Sequence, residues 1–323
     1  MKILVTGGSG YIGSVTVEQL LERGHEVVVF DNLERGHREA VDPRARLVRG
    51  DLREREAILA ALREARPDAV VHFAAYALVA ESMADPDLYF RNNLGGGMNL
   101  AAAMRETGVR RLVFSSSCAV YGIPERMPID ENLPKNPANP YGESKLQFEK
   151  ILRWYEECHG FRTVRLRYFN AAGATERFGE DHDPESHIIP NVLKVALDQA
   201  PCVKIFGSDY RTPDGTCVRD YIHILDLAQA HILAVEGSVS GAFNLGNGSG
   251  YSVSQVVQTA REVTGRPIPA EMHPRRPGDP DTLVADAAKA KRELGWTPRY
   301  PDLRQIVESA WNWTRRHPRG YRP

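Results

Sequence analysis

The sequence lacks an excess of either charge, a long apolar run and a charged leader. Its 323 residues carry 41 lysines and arginines against 42 aspartates and glutamates, so it offers no strong field to attract nucleic acid or an anionic membrane. No run of ~18 apolar residues predicts a membrane-spanning helix, and the chain enters a strand-like stretch directly from Met1. We therefore expect a cytoplasmic protein that binds neither nucleic acid nor membranes.

Cysteine is scarce, and it is spaced unlike a metal site or a disulfide framework. The four cysteines are Cys118, Cys158, Cys202 and Cys217. None forms a CxxC pair, so we expect reduced thiols. His182 and His187 stand among acids in a charged segment, residues 174–187, where a metal site is conceivable. The composition favours a mobile surface loop, and no metal is predicted.

A glycine motif follows the first predicted strand and opens the first predicted helix. Lys2–Thr6 is a short branched apolar run typical of a buried parallel strand, and a second strand covers residues 26–30. The motif glycines are Gly7, Gly8, Gly10 and Gly13. Without side chains, the backbone turns tightly and approaches a pyrophosphate, which sits on the N–H groups of the helix N-terminus. This order of elements predicts a dinucleotide site.

Asp31, at the end of the second strand, bears on the choice of cofactor. A carboxylate about 20 residues after the motif accepts hydrogen bonds from the adenine-ribose diol. It would repel the 2′-phosphate of NADP, so NAD is the expected cofactor. Arg35 and Arg38 follow closely in the sequence and leave NADP as the alternative.

Strands continue to alternate with helices, at residues 46–52, 68–75, 111–117 and 163–170. This alternation predicts an α/β fold with a Rossmann-type, doubly wound parallel sheet covered on both faces. Ligands of such sheets bind at the carboxyl ends of the strands. Candidate residues at those ends are Gly7, Asp31, Asp51, Ala74 and Ser115 to Ser117. One edge of the sheet therefore collects them.

Tyr141 and Lys145 stand four residues apart at the start of a predicted helix. In a helix these side chains project from one face. A nearby ammonium favours phenolate over phenol, so Lys145 is predicted to lower the pKa of Tyr141 and make it a base. Ser117 offers a hydroxyl to the same substrate oxygen. The spacing alone is a weak signal, but its position beside a dinucleotide site strengthens it.

Beyond Gly173 the pattern changes to short mixed elements, which predict a second, smaller α/β lobe over the edge of the sheet. We assign residues 1–172 to the dinucleotide-binding domain, with residues 219–247 contributing. Residues 173–218 and 248–323 form the substrate lobe. The expected elements there include a helix over 188–200, a strand over 202–207 and two helices that end the chain.

Six motifs spread over nearly the whole chain carry a family resemblance. They are Thr6–Gly13, Phe114–Gly122, Pro140–Lys145, Arg167–Asn170, Asp214–His223 and Arg275–Asp279. In this order they resemble those of the extended short-chain dehydrogenase/reductases, most closely the nucleotide-sugar epimerases. The first and third motifs mark only the superfamily, whereas the last two are more specific.

The resemblance implies individual roles. Tyr141 would be the catalytic base, Lys145 would set its pKa and hold the nicotinamide ribose, and Ser117 would bind the sugar 4-oxygen. The NAD contacts would be Gly7, Gly10, Tyr11, Ile12, Gly13, Asp31, Asn32, Asp51, Leu52, Phe73, Ala74, Ala75, Asn92, Ser115, Tyr141, Lys145 and Tyr168. The UDP-hexose contacts would be Ser117, Tyr141, Asn170, His187, Ile188, Phe206, Arg219, Arg276, Asp279 and Leu283.

The implied activity is inversion at C4 of UDP-glucose and UDP-galactose through a 4-keto sugar, with tightly bound NAD. Leu283 aligns with a position, often tyrosine, that limits the pocket, so UDP-GlcNAc and UDP-GalNAc are possible further substrates. The alternatives are a 4,6-dehydratase, a decarboxylase or epimerase of UDP-glucuronate, and a non-enzymatic NAD-sensing protein. The family also implies a homodimer through helices near 92–107 and 144–158.

Overall fold

The computed structural model describes residues 1–276 and 278–322. Its strands are β1 Lys2–Thr6, β2 Glu26–Asp31, β3 Arg46–Arg49, β4 Ala69–His72, β5 Arg111–Ser117, β6 Arg162–Tyr168, β7 Asn170–Ala172, β8 Val203–Phe206, β9 Val218–His223, β10 Gly241–Leu245, β11 Gly250–Ser252, β12 Ala270–His273 and β13 Thr282–Leu283. Its α-helices are α1 Tyr11–Glu22, α2 Arg55–Ala65, α3 Val79–Ala84, α4 Pro86–Tyr89, α5 Gly96–Thr107, α6 Pro140–His159, α7 Ile188–Ala196, α8 Ile224–Glu236, α9 Val253–Thr264 and α10 Leu303–Arg316.

Seven strands form one parallel sheet in the order β10-β6-β5-β4-β1-β2-β3. Successive side chains of a strand point to opposite faces. Ile3 and Val5 accordingly pack with α1 and α8, whereas Leu4 packs with α2, α5 and α6. The strand order reverses between β1 and β4, the switch point where doubly wound sheets bind ligands. The predicted fold class is confirmed.

Two small sheets and three helices make up the second lobe and its border with the seven-stranded sheet. The strands β7, β9, β11 and β13 form one sheet and β8 pairs with β12 in another. A separate apolar cluster joins α7, α9 and α10 beneath them, with Val192, Ile205 and Ile306 buried. Among the described residues, no helix combines the length and apolar composition needed to cross a membrane.

Three sequence predictions differ from the structure. The strand predicted over 163–170 is two strands, because β6 pairs with β5 and β10 while β7 pairs with β9 in the other sheet. The predicted third strand ends at Arg49, so Asp51 and Leu52 lie in the following turn. Of the two predicted terminal helices, the first is only a π-helical turn, Ala290–Leu294, before α10.

Candidate active site

The glycine motif forms a tight loop between β1 and α1. Gly7 has φ +73°, and a Cβ atom there would lie 2.5 Å from the nitrogen of Ala74. A Cβ atom on Gly13 would lie 2.1 Å from the carbonyl oxygen of Gly7. The helix N-cap is Gly10, which offers no side-chain cap to the first-turn N–H groups. The loop therefore leaves helix donors available to an anion, as a pyrophosphate site requires.

The acidic residues at the ends of β2 and β3 are already held by backbone and side-chain donors. The carboxylate of Asp31 accepts hydrogen bonds from the N–H groups of Ser9 at 3.1 Å and Leu33 at 2.9 Å. Asn32 Nδ2 donates to Asp51 Oδ2 at 3.0 Å. Hydrogen bonds from the Arg53 guanidinium lower the pKa of Asp51 to about 2. Both carboxylates are therefore fixed at the carboxyl edge of the sheet.

Arg35 is engaged with groups of its own chain. Its guanidinium donates to Glu81 at 2.6 Å and lies over the ring of Tyr76, 5.1 Å from the ring centre. Arg35 is one of the two arginines, with Arg38, that could bind a 2′-phosphate, and its guanidinium is already paired with Glu81. The arrangement favours NAD over NADP.

The start of α6 places Tyr141 and Lys145 beside β5. Asn139 caps the helix by accepting a hydrogen bond from the N–H group of Gly142 at 2.8 Å, and Pro140 occupies the first turn. The ammonium of Lys145 donates to the carbonyl oxygen of Ser115 at 2.9 Å. It lies 5.8 Å from the centre of the Tyr141 ring. The predicted pair is thus brought together at the end of β5.

The predicted lowering of the Tyr141 pKa is not found. Burial raises the pKa of Tyr141 well above its ordinary value, and Tyr168 adds to this, while a hydrogen bond with Ser117 opposes it. Burial also lowers the pKa of Lys145 to about 7, although Glu149 opposes this shift. Desolvation disfavours the charged form of each group. In the protein without cofactor, burial therefore favours the neutral phenol of Tyr141.

The other predicted cofactor residues line the same edge. After β1 come Gly7, Gly10, Tyr11, Ile12 and Gly13, and β2 ends at Asp31 with Asn32 directly after it. After β3 come Asp51 and Leu52, and after β4 come Phe73, Ala74 and Ala75. Near the ends of β5 and β6 lie Ser115 and Tyr168. The hydroxyls of Ser115 and Tyr168 lie 2.7 Å apart. Asn92 lies in the π-helical turn Phe90–Gly95.

Sequence reasoning selected Asn92 but missed its neighbour Asn93. The buried Asn93 amide accepts from the N–H group of Tyr76 at 2.9 Å, donates to its carbonyl at 3.0 Å, and donates to Ser144 Oγ at 3.2 Å. Tyr76 and Tyr89 form a cluster with Tyr141. The amide thus ties the π-helical turn to the start of α6. A π-helical turn commonly marks a functional site, but the sequence pattern did not reveal it.

A buried polar network behind β5 was also missed. Glu149 accepts hydrogen bonds from Ser116 Oγ at 2.6 Å and from Arg167 Nε at 2.9 Å. Arg167 Nη1 donates to the hydroxyl of Tyr121 at 2.8 Å. Because each buried charge has a partner, the network fixes α6 against β5 and β6. The alternation of polar residues along these strands was the available signal.

The predicted substrate residues lie in the second lobe and at its border. Asn170 begins β7, Phe206 ends β8, Arg219 lies in β9, Leu283 lies in β13, and His187 and Ile188 stand at the start of α7. The guanidinium of Arg219 forms an ion pair with Asp279. That of Arg276 lies over the ring of Phe206, 4.2 Å from its centre. Two arginines are thus held in place by side chains of their own lobe.

Leu283 connects this group to the catalytic edge. It pairs in register with Arg219 and packs against the apolar cluster around Phe169 and Ala285, which Cys118 also contacts. Cys118 directly follows Ser117 in the chain. The side chain of His187 differs from expectation, because its Nδ1 lies 2.6 Å from a carboxylate oxygen of Glu180 within the preceding loop.

Comparison with known proteins agrees with this geometry. Residues 3–246 match the model of the NAD dependent epimerase/dehydratase family. The chain belongs to this family. It is 51% identical over 327 residues to the UDP-glucose 4-epimerase of Lacticaseibacillus casei, with 99% of each chain covered. The predictions of family, Rossmann-type fold and NAD are confirmed.

Solved structures of family members superimpose over nearly the full chain. The UDP-glucose 4-epimerase of Brucella ovis in complex with NAD is 46% identical, with a TM-score of 0.93 over 96% of this chain and 97% of that one. The enzyme of Bifidobacterium longum in complex with NAD+ and UDP is 38% identical, with a TM-score of 0.95 over 99% of this chain and 100% of that one. Members of this epimerase family therefore share the whole architecture.

Proposed function

We propose that this protein is a UDP-glucose 4-epimerase, which interconverts UDP-glucose and UDP-galactose through a 4-keto sugar. The observation that carries the proposal is the convergence of Tyr141, Lys145 and the end of β5 at the glycine-loop edge of the sheet. Full-length identity of 51% to a curated UDP-glucose 4-epimerase supports the same reaction.

The residues at the sheet edge fit NAD. The loop of Gly7 to Gly13 would hold the pyrophosphate, Asp31 the adenine ribose, and Lys145 the nicotinamide ribose. When bound, NAD accepts hydride from C4 and returns it to the opposite face, so that the reaction has no net redox change. The chain itself supplies the cradle and the acid–base groups.

Tyr141 would act as the base. As phenolate it would take the proton of the sugar 4-hydroxyl and later give it back, while Ser117 hydrogen-bonds the 4-oxygen. Because burial raises the pKa of Tyr141, the phenolate requires positive charge beyond that of Lys145. Binding of a cationic ring beside Tyr141 would provide it. The base would therefore be formed only in the loaded enzyme.

The second lobe would hold the UDP end while the sugar turns. Arg219 and Arg276 offer the planar donors that a diphosphate prefers, and Asn170, Asp279, Phe206, Ile188 and His187 complete the proposed contact set. Firm anchoring of the diphosphate leaves the 4-keto sugar free to present its opposite face. We assign residues 173–218 and 248–323 to this lobe and residues 1–172 with 219–247 to NAD binding, so Asn170 and Arg219 would contact the substrate from the border of the NAD-binding part.

Leu283 is the basis for a wider sugar specificity. It lies beside Arg219 and near Cys118, and an aliphatic side chain there leaves more room than the ring of a tyrosine. We therefore propose that UDP-GlcNAc and UDP-GalNAc are also accepted. Steady-state assays on both sugars test this, and no turnover of UDP-GlcNAc at high enzyme concentration would exclude it.

A homodimer in the cytoplasm completes the proposal. The side chains of Met98 on α5 and Trp154 on α6 are among the exposed large hydrophobic groups. Burial of these two neighbouring helices against a second copy would remove that apolar surface from water. Analytical ultracentrifugation tests the assembly; a monomer at micromolar concentration would contradict it.

The decisive experiment supplies UDP-galactose to the purified protein and follows UDP-glucose through a coupled enzyme. Turnover without added reductant or oxidant supports the epimerase. Release of water or CO₂ from a nucleotide sugar would instead favour a dehydratase or decarboxylase, and NAD binding without turnover of any of these would favour a sensing protein. The dehydratase is disfavoured because Cys118 and Ala119 stand where elimination needs an acid–base pair.

A further inference from the structure

Four potential metal ligands converge in the loop before α7. They are Glu180, His182, Glu185 and His187, and one donor atom from each lies within 4.8 Å of all the others. His182 Nδ1 lies 3.2 Å from Glu180 Oε1 and 3.8 Å from Glu185 Oε2. His187 Nδ1 lies 2.6 Å from Glu180 Oε1 and 3.5 Å from Glu185 Oε1. The sequence predicted a mobile surface loop here without a metal.

Part of this loop is buried, although residues 183, 184, 186 and 187 are exposed. The side chains of Glu180 and Glu185 are 7% and 2% exposed. Phe178 is buried, the N–H group of Gly179 donates to the Tyr321 hydroxyl at 3.0 Å, and the N–H group of Tyr321 donates to Asp181 at 3.0 Å. Packing against the C-terminal segment thus buries two carboxylates that would otherwise be hydrated, and buried carboxylates need a compensating charge.

The buried donor atoms approach one another without hydrogen-bond geometry. Glu180 Oε1 and His182 Nδ1 are both shielded from solvent, and among the described residues neither has a partner that meets hydrogen-bond geometry. Ligands about 2.0–2.2 Å from a tetrahedral zinc ion lie roughly 3.3–3.5 Å from each other. The 3.2 Å from His182 to Glu180 and the 3.5 Å from His187 to Glu185 are close to this spacing, whereas the 2.6 Å between His187 and Glu180 would have to widen when an ion binds. The carboxylate oxygens and imidazole nitrogens of this cluster therefore lie close together without forming hydrogen bonds of good geometry. Ligand atoms around a common cation have this arrangement.

The remaining carboxylate is oriented by its own loop. Glu185 Oε1 accepts hydrogen bonds from the N–H groups of Ser186 at 2.7 Å and His187 at 2.8 Å. This leaves Oε2 directed toward His182. Hydrogen-bonded carboxylates of this kind support metal sites, because they fix the ligand before the ion arrives.

We propose that Glu180, His182, Glu185 and His187 form a structural zinc site. Two carboxylates and two neutral imidazoles carry a charge of −2, which one divalent cation neutralises. Imidazole nitrogen and carboxylate oxygen suit Zn²⁺, and four protein ligands in a closed shell are typical of structural rather than catalytic zinc. The competing arrangement, two protonated histidines paired with the two glutamates, would place two cationic rings with centres 5.4 Å apart.

The site lies where it can connect both halves of the molecule. The ring of His182 meets the ring of Tyr11 edge-on, with centres 6.2 Å apart, and the Tyr11 hydroxyl donates to the carbonyl of Gly173 at 2.6 Å. Tyr11 begins α1 in the glycine loop, and His187 directly precedes α7. The ion would hold the start of α7 against the start of α1. On this proposal His187 serves the zinc site instead of the UDP-hexose contact set, and the zinc site stands without the proposed reaction.

The test compares metal binding by the wild-type chain, His182→Ala, Glu180→Gln and the control His159→Ala, which removes an exposed histidine on α6. After removal of metal with a chelator and dialysis, each protein is titrated with Zn²⁺ against a chromophoric competitor. We expect one zinc per wild-type and control chain. The first two variants should bind at least about 100-fold more weakly, because each loses a ligand.

Two further readouts separate a built site from surface binding. Co²⁺ should give the strong visible absorption of tetrahedral coordination in the wild type and lose it in His182→Ala. Zn²⁺ should raise the Tm of the wild type and the control but not of His182→Ala. Equal zinc affinity in wild type and His182→Ala, or weak octahedral cobalt absorption, would overturn the proposal.

Discussion

The two ends of the candidate site treat charge in opposite ways. At the sheet edge, burial raises the pKa of Tyr141 and lowers that of Lys145 to about 7. In the second lobe, burial also disfavours the charge of Arg219, but Asp279 outweighs it and raises the arginine pKa. The sheet edge, which we call the chemical end, therefore favours the neutral forms of Tyr141 and Lys145. The end around Arg219, which we call the binding end, favours the charged form of the arginine. A cofactor would have to supply positive charge at the chemical end, whereas a diphosphate would meet a charged arginine at the binding end.

The difference follows from the partners that each end provides. Within the part of the chain that the structure describes, Lys145 donates to the carbonyl oxygen of Ser115, which stabilises an ammonium less than a carboxylate does. Arg219 has a carboxylate partner in Asp279. The predictions below test this contrast, beginning with the largest expected effect.

Tyr141→Phe removes the proposed base at the neutral end. We expect kcat with UDP-galactose to fall by about 10⁴-fold, because no hydroxyl remains to exchange the proton, while NAD remains bound to the purified protein. The control is Tyr155→Phe, the same change further along α6, which should retain activity. Near-normal turnover by Tyr141→Phe would exclude this residue as the base.

Arg276→Ala removes one cation of the binding end. We expect KM for UDP-galactose to rise about 10-fold with little change in kcat, because a charged hydrogen bond to the diphosphate is lost. Arg266→Ala, which removes an exposed arginine just after α9, is the matched control. A fall in kcat at unchanged KM would instead place Arg276 in the chemical step.

Lys145→Met tests the cost of the buried ammonium in the NAD-free protein. The pKa of Lys145 in the folded state, about 7, lies below its ordinary value. Below pH 7 Lys145 is protonated in both the folded and the unfolded protein. The folded protein then bears the full free-energy cost of burying the ammonium. Between the two pKa values the unfolded chain binds more protons, so the free energy of unfolding rises with pH.

From pH 7 to 9 this contribution amounts to about 2 kcal/mol, and it should disappear in Lys145→Met. Urea unfolding of wild type, Lys145→Met and the exposed control Lys150→Met at both pH values measures it. The same rise with pH in all three proteins would show that the ammonium of Lys145 is not destabilised by burial.

Leu283→Tyr narrows the space next to Arg219. Overpacking of a fitted site costs about 1–3 kcal/mol, so we expect kcat/KM for UDP-GlcNAc to fall roughly 10-fold or more. The value for UDP-glucose should change little, and Leu283→Met should leave both sugars unaffected. An equal loss for both sugars would mean that the residue does not distinguish them.

Sequence reasoning succeeded where local signals suffice. The spacing of Tyr141 and Lys145, together with Pro140, predicted a helix that presents both side chains to one place, and α6 begins at Pro140. The pKa direction of Tyr141 could not be predicted in this way. This pKa depends on the burial of Tyr141 and on the nearby Tyr168. Tyr168 comes close to Tyr141 only after β5 and β6 have paired.

Long-range packing also explains the other differences. The loop before α7, which carries two buried carboxylates, is hydrogen-bonded at Gly179 and Asp181 to Tyr321 near the end of the chain. Asn170 was predicted to continue a strand, but its pairing partner is Tyr221 in β9, about 50 residues further on. No pattern within the segment indicates such partners.

The change of sheet at Phe169 sets a distance. Tyr168 pairs in register with Ser117, and Asn170 is the first residue of β7. Since each residue spans at most about 3.6 Å, the end of β6, which lies beside Ser117, is joined to the start of β7 over two residue steps, at most about 7 Å. An insertion or deletion at this point would shift the sugar relative to the hydroxyl that is to meet it. The proposed effect of Leu283 on sugar specificity would therefore act through its side chain, because this connection leaves no length to vary.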